Sequence, residues 1–124
     1  MIRLALAAFM IATPAIASED EWNRYICEQL GGIAEVRTGA GTDIDCLTTT
    51  TAWEADFSGK WAEAIGQALH YAAEERKRPG VIFLCKESDE LCLRHELRMI
   101  STIGAWFDLR DWDFLIVNAR GDAP

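Results

Sequence analysis

The chain reads as an α/β (α+β) protein: a mixed central sheet flanked by helices, in the order α-β-β-β-α-β-α-β. Three observations predict this. Short extended segments between positions 33 and 57 are separated by glycines and threonines. Residues 60–77 carry apolar side chains at helical spacing. Beyond them, the unbroken apolar run at 81–85 marks a strand buried on both faces. Hairpin-linked strands followed by a β-α-β crossover give a sheet of mixed direction.

Each element has its own signal. Met1-Ile2-Arg3 carries one positive charge, residues 4–12 are apolar, and Ala15-Ile16-Ala17 is a small-x-small cleavage pattern. Together they predict a secretory signal peptide at 1–17, cut after Ala17, and a periplasmic or secreted location. The apolar run is far shorter than the ~20 residues of a spanning helix. Residues 18–124 then form a single domain with one core. Ser18 before Glu19, Asp20 and Glu21 opens a helix that runs to about Leu30 and stops at Gly31-Gly32. Residues 33–38 and 43–48 are strands around the turn Gly39-Ala40-Gly41. A third strand, 52–57, follows a threonine run that itself favours extended structure. Ser58-Gly59 breaks the pattern, and Ser58 can cap the long helix. Pro79-Gly80 ends that helix before the 81–85 strand. A third helix covers about 89–102. Residues 106–117 hold one or two strands interrupted by Asp111-Trp112-Asp113, and 119–124 is a frayed tail. Arg120-Gly121-Asp122 in that tail is too short a match to an adhesion motif to carry a function.

The formal charge is −8, with 12 basic and 20 acidic residues; without Arg3 it is −9. Such a chain repels phosphate at long range, which excludes a broad nucleic-acid-coating role. It leaves room for a site that binds metal first and phosphate second. Arg76-Lys77-Arg78 is favourable charge at a helix C-terminus. Four cysteines in an exported domain point to disulfides, paired Cys27–Cys46 and Cys85–Cys92. A zinc site is the rival, but the Cys-x₂-Cys spacing is absent. The two histidines, His70 and His95, fall in no Ser-His-Asp order, and there is no glycine-rich phosphate loop.

The alternation of a strand puts Glu54 and Asp56 on one face, with Trp53, Ala55 and Phe57 on the other. Asp45 shares a face with Asp43 and Leu47, while Cys46 points away. If these strands pair as a hairpin, Asp45 lies across from the Glu54/Asp56 pair. Three carboxylates that close repel, and a divalent cation is the usual remedy. On the helix, Lys60, Ala64, Gln67 and Tyr71 fall within an arc of roughly 60°. An apolar stripe of Trp61, Ile65, Ala68, Leu69 and Ala72 runs beside them. A cation at a helix start opposes the macrodipole, so Lys60 needs a nearby carboxylate.

This pattern, Asp45, then Glu54-x-Asp56, then Gln67-Ala-Leu-His-Tyr71, resembles the PD-(D/E)XK nuclease superfamily, nearest its RecB-like branch. It also resembles a group of small exported bacterial proteins carrying "DCLT…E-x-DF…KW-x-EAIGQ-x-x-x-YA". The resemblance implies a restriction-endonuclease-like core and a metal-dependent nuclease acting on nucleic acid. It implies Asp45 and Glu54 as ligands of Mg²⁺ or Mn²⁺, with the carbonyl of Ala55 as a further ligand. It implies that Gln67 and Tyr71 contact the substrate backbone or orient site groups. The chain departs from the family at the position two after Glu54, where a lysine is replaced by Asp56. Two readings stay open. In one, Lys60 reaches back across the turn as a relocated lysine. In the other, the domain keeps the fold and binds metal, nucleic acid or protein without cutting.

Overall fold

The computed structural model describes residues 17–124. The predicted leader at 1–17 falls almost wholly outside these residues. Its last residue, Ala17, is described and packs in the core, 3% exposed.

Helix α1 spans Glu19–Gln29, and the hydroxyl of Ser18 accepts from the Glu21 N–H at its start. Strands β1 (Ile33–Arg37), β2 (Asp43–Leu47) and β3 (Thr51–Phe57) follow. A 3₁₀ turn, Ser58–Lys60, leads into α2, Trp61–Glu75. Strand β4 is Arg78–Cys85, helix α3 is Asp89–Trp106, a second 3₁₀ turn is Leu109–Asp111, and β5 is Asp113–Asn118. The order is the predicted α-β-β-β-α-β-α-β. Strands β1, β2 and β3 pair antiparallel, whereas β3, β4 and β5 pair parallel. The sheet order is β1-β2-β3-β4-β5.

The two faces carry separate cores. On one side α1 places Trp22, Ile26 and Cys27 against Trp53, Ala55, Ile82 and Leu84. On the other, Ala64 and Ala68 of α2 and Met99 and Ile103 of α3 cover Val81 and Phe83. Strand β4 is therefore buried on both faces, as its unbroken apolar run requires. Each of its large side chains contributes on the order of 1.5–3 kcal/mol. Both disulfides form as paired above, Cys27–Cys46 and Cys85–Cys92. Among the described residues no helix is long and apolar enough to cross a membrane.

Four local expectations are corrected. Pro79-Gly80 does not end α2; Arg76 does, in a left-handed conformation (φ 52°), and Pro79-Gly80 lie inside β4. Proline is tolerated there because β5 begins to pair only at Gly80, so no β5 carbonyl waits for the missing N–H. Ser58 does not cap α2; its buried hydroxyl meets His95 Nδ1 at 3.0 Å. Residues 103–106 extend α3, so Trp106 ends a helix instead of starting a strand, because Ile103 is buried in the helical stripe begun by Met99. The tail is not frayed at its start, since Ala119 is fully buried and its N–H donates to the Cys85 carbonyl at 2.7 Å.

Gly80 has a packing reason for being glycine. A Cβ there would stand 2.6 Å from Thr51 Cγ2 and 2.6 Å from the Trp53 ring. Gly80→Ala is expected to destabilise the fold by about 1–3 kcal/mol, read as a lower urea midpoint at unchanged slope.

Candidate functional site

The site begins where β2 and β3 part. Their ladder pairs Leu47 with Ala52 and Cys46 with Trp53, and the same register brings Asp45 beside Glu54. Beyond that point the backbone groups find side-chain partners. The Ala55 N–H donates to Asp45 Oδ2 at 2.8 Å. The Asp45 carbonyl accepts from Asn23 Nδ2 of α1 at 2.7 Å. The gap between the strands is a polar cavity of about 190 Å³. Alternation along β3 sends Trp53 and Ala55 into the α1 core, as predicted, and leaves Glu54 and Asp56 lining the cavity.

Three elements supply the remaining walls. Helix α1 brings Glu19, Asp20 and Asn23. Helix α2 brings Glu63, Gln67 and Tyr71 along one stripe, with Lys60 just before it. Every predicted site residue thus lines one cavity: Asp45, Glu54, Asp56, Lys60, Gln67 and Tyr71. Glu54, Asp56 and Tyr71 are buried, while Lys60 and Gln67 are exposed at the rim. His70 is elsewhere, with Nε2 2.8 Å from Thr42 Oγ1.

Lys60 has the carboxylate partners its position demands. Its Nζ donates to Glu19 Oε1 at 2.8 Å and stands 3.9 Å from Asp56 Oδ1. The hydrogen bond to Glu19 raises its pKa first, so it stays a cation. Sequence reasoning assigned the α1 acids to the helix dipole and missed Glu19 and Asn23. Their i, i+4 spacing puts both on one face of α1, but it does not report what that face meets.

Six carboxylates and one ammonium line the cavity, so its electrostatics are severe. Burial, followed by the hydrogen bond and charge of Asp45, pushes Glu54 up to about 11. Burial, followed by Glu19, pushes Asp56 up to about 8, against the opposing pull of Glu54 and Lys60. Asp45 is also raised, chiefly by burial, although Glu54 and the Ala55 N–H oppose it. Burial and then Glu54 raise the Tyr71 phenol, which stays a donor. Glu54 and Asp56 therefore resist ionisation at neutral pH. Among the described residues no amide, hydroxyl or ammonium donor reaches Glu54 Oε2 or Asp56 Oδ2.

Among the described residues no group of three or more His, Cys, Asp or Glu side chains forms a ready-made metal site. The donor set nonetheless suits a hard divalent cation. It is oxygen-only, and two buried carboxylate oxygens lack any donor. A cation would displace the protons that burial favours on Glu54 and Asp56.

Compared with protein-family models, curated proteins and solved structures, the chain matches none.

Proposed function

We propose that the β2–β3 cavity is the divalent-cation site of a phosphodiester hydrolase acting on nucleic acid, built on the PD-(D/E)XK plan. The observation that carries this reading is the pair of buried, donor-less oxygens of Glu54 and Asp56, set beside Asp45 with Lys60 at the rim. Asp45 and Glu54 would hold Mg²⁺ or Mn²⁺. When bound there, the ion polarises the phosphodiester and makes its water more acidic. Lys60 supplies the positive charge that Asp56 cannot. Tyr71 donates a hydrogen bond, and exposed Gln67 offers an amide to the substrate backbone. The acidic wall repels phosphate until the cation is in place. The two disulfides fit an oxidising compartment such as a periplasm.

The test is cleavage of single- and double-stranded DNA and RNA by the oxidised protein with Mg²⁺ or Mn²⁺. Glu54→Ala and Lys60→Ala are each expected to slow cleavage by about 10²-fold or more. Cleavage that persists in Glu54→Ala sinks the assignment.

A second reading rests on a specific contact. The 2.8 Å bond to Glu19 holds the Lys60 ammonium at the rim, while Asp56 fills the place of the family's lysine. On that reading the domain binds a cation and a partner without hydrolysis. Cation binding with no cleavage of any of the four substrates would select it.

A further inference from the structure

Among the described residues, three buried side-chain oxygens have no hydrogen-bond partner: Glu54 Oε2, Asp56 Oδ2 and Asn23 Oδ1. All three belong to residues lining the same cavity. The first two lie on the sheet, and the third comes from α1. Burying an unpaired amide oxygen costs free energy, so its concentration at one place calls for a ligand.

Asn23 is 3% exposed. Its orientation is fixed by chemistry. The Asp45 carbonyl is an acceptor, so the amide nitrogen must face it, at 2.7 Å. The amide oxygen is thereby turned away from β2, with no donor of its own. An acceptor placed among carboxylates repels anions and further acceptors. What it complements is a cation, or the water that a cation carries.

We propose that Asn23 Oδ1 is an additional ligand of the cavity, joining Asp45 and Glu54 around a hard divalent cation. The proposal rests on the cation site argued above, and it adds α1 to a ligand set otherwise supplied by two strands. Its chemical logic concerns charge. A neutral oxygen adds coordination without adding to the repulsion among the carboxylates already there. Asn23 also braces Asp45 through its nitrogen, so one side chain both positions the strand and faces the ion.

The experiment separates these two roles. Mn²⁺ binding to the oxidised protein is measured by calorimetry for wild type, Asn23→Ala and Asn23→Asp. Both variants lose the amide donor to Asp45, but Asn23→Asp keeps an oxygen on the cavity side. Ligation predicts that Asn23→Ala weakens Mn²⁺ by about tenfold or more, and that Asn23→Asp recovers most of that loss. Equal weakening in both variants means Asn23 acts only as a brace, which overturns the proposal and leaves the cation site standing. Absence of Mn²⁺ binding to the wild type overturns the cation site itself, and this proposal with it. Should Asn23→Ala fail to fold, Mg²⁺ titration of the wild type followed by ¹⁵N NMR decides. The Asn23 side-chain amide must shift with the ion, and an unmoved signal overturns the proposal.

Discussion

Glu54→Gln is expected to stabilise the metal-free protein and to remove its response to divalent cations. Glu54 is 4% exposed, and its carboxyl is held far above the usual range, to about 11, by burial and by Asp45 and Asp56. The folded state keeps a proton that the unfolded chain gives up. That stabilising proton is fully effective below the ordinary carboxyl value, and its contribution is lost as pH rises toward the folded one. Stability therefore falls with rising pH across this window. At pH 7 the term costs the metal-free fold on the order of 3 kcal/mol. Asp56 acts with the same sign up to about 8. Glutamine cannot ionise, and its amide can donate to the neighbouring carboxylates. The wild-type melting temperature should decline from about pH 5 to about pH 8, with a shallower slope in Glu54→Gln. Mg²⁺ or Mn²⁺ should raise the wild-type value most at the alkaline end, where fewer protons must be displaced. A wild-type profile that rises over that range would contradict the proton-held cluster.

Loss of the Cys27–Cys46 disulfide should cost about 3 kcal/mol, from the loop closure that it removes from the unfolded chain. Its sequence separation is 19 residues. The bond ties α1 to β2, the two elements that contribute Asn23 and Asp45 to the cavity. Its seat is tight: a Cβ at Gly32 would come within 2.7 Å of Cys46 Sγ. Cys27→Ala/Cys46→Ala is therefore expected to lower the urea midpoint and to weaken Mn²⁺ binding together. Cys85–Cys92 closes a separation of only 7 residues at the other end of β4. Its removal should leave Mn²⁺ binding unchanged.

Much of the sheet was legible because its signals are local. Alternation assigned Trp53 and Ala55 to one core and Glu54 and Asp56 to the cavity. The unbroken run at 81–85 marked the central strand, with both faces covered. The six site residues on β2, β3, α2 and the turn before it were legible because period two and period 3.6 each aim side chains in a known direction. The α1 contribution was not. Glu19 reaches Lys60 across 41 positions, and no local pattern reports such a contact. The end of α2 was misread because a left-handed Arg76 is unusual, whereas Pro79-Gly80 is an ordinary stop signal. Ser58 was misread for a similar reason. A serine before a helix reads as a cap, and its partner His95 lies 37 positions away.

The strand order carries a consequence for how the chain assembles. Neighbours in the sheet are also neighbours in sequence, from β1 at one edge to β5 at the other. No strand has to be inserted between two that are already paired. The sheet can grow at a single advancing edge, each step closing one hairpin or one helical crossover. Loop-closure entropy is then met in small instalments. The acidic residues on β2 and β3 come together in the early part of that growth, when their hairpin closes. Charge repulsion there would slow the first steps, so refolding should be fastest at mildly acidic pH.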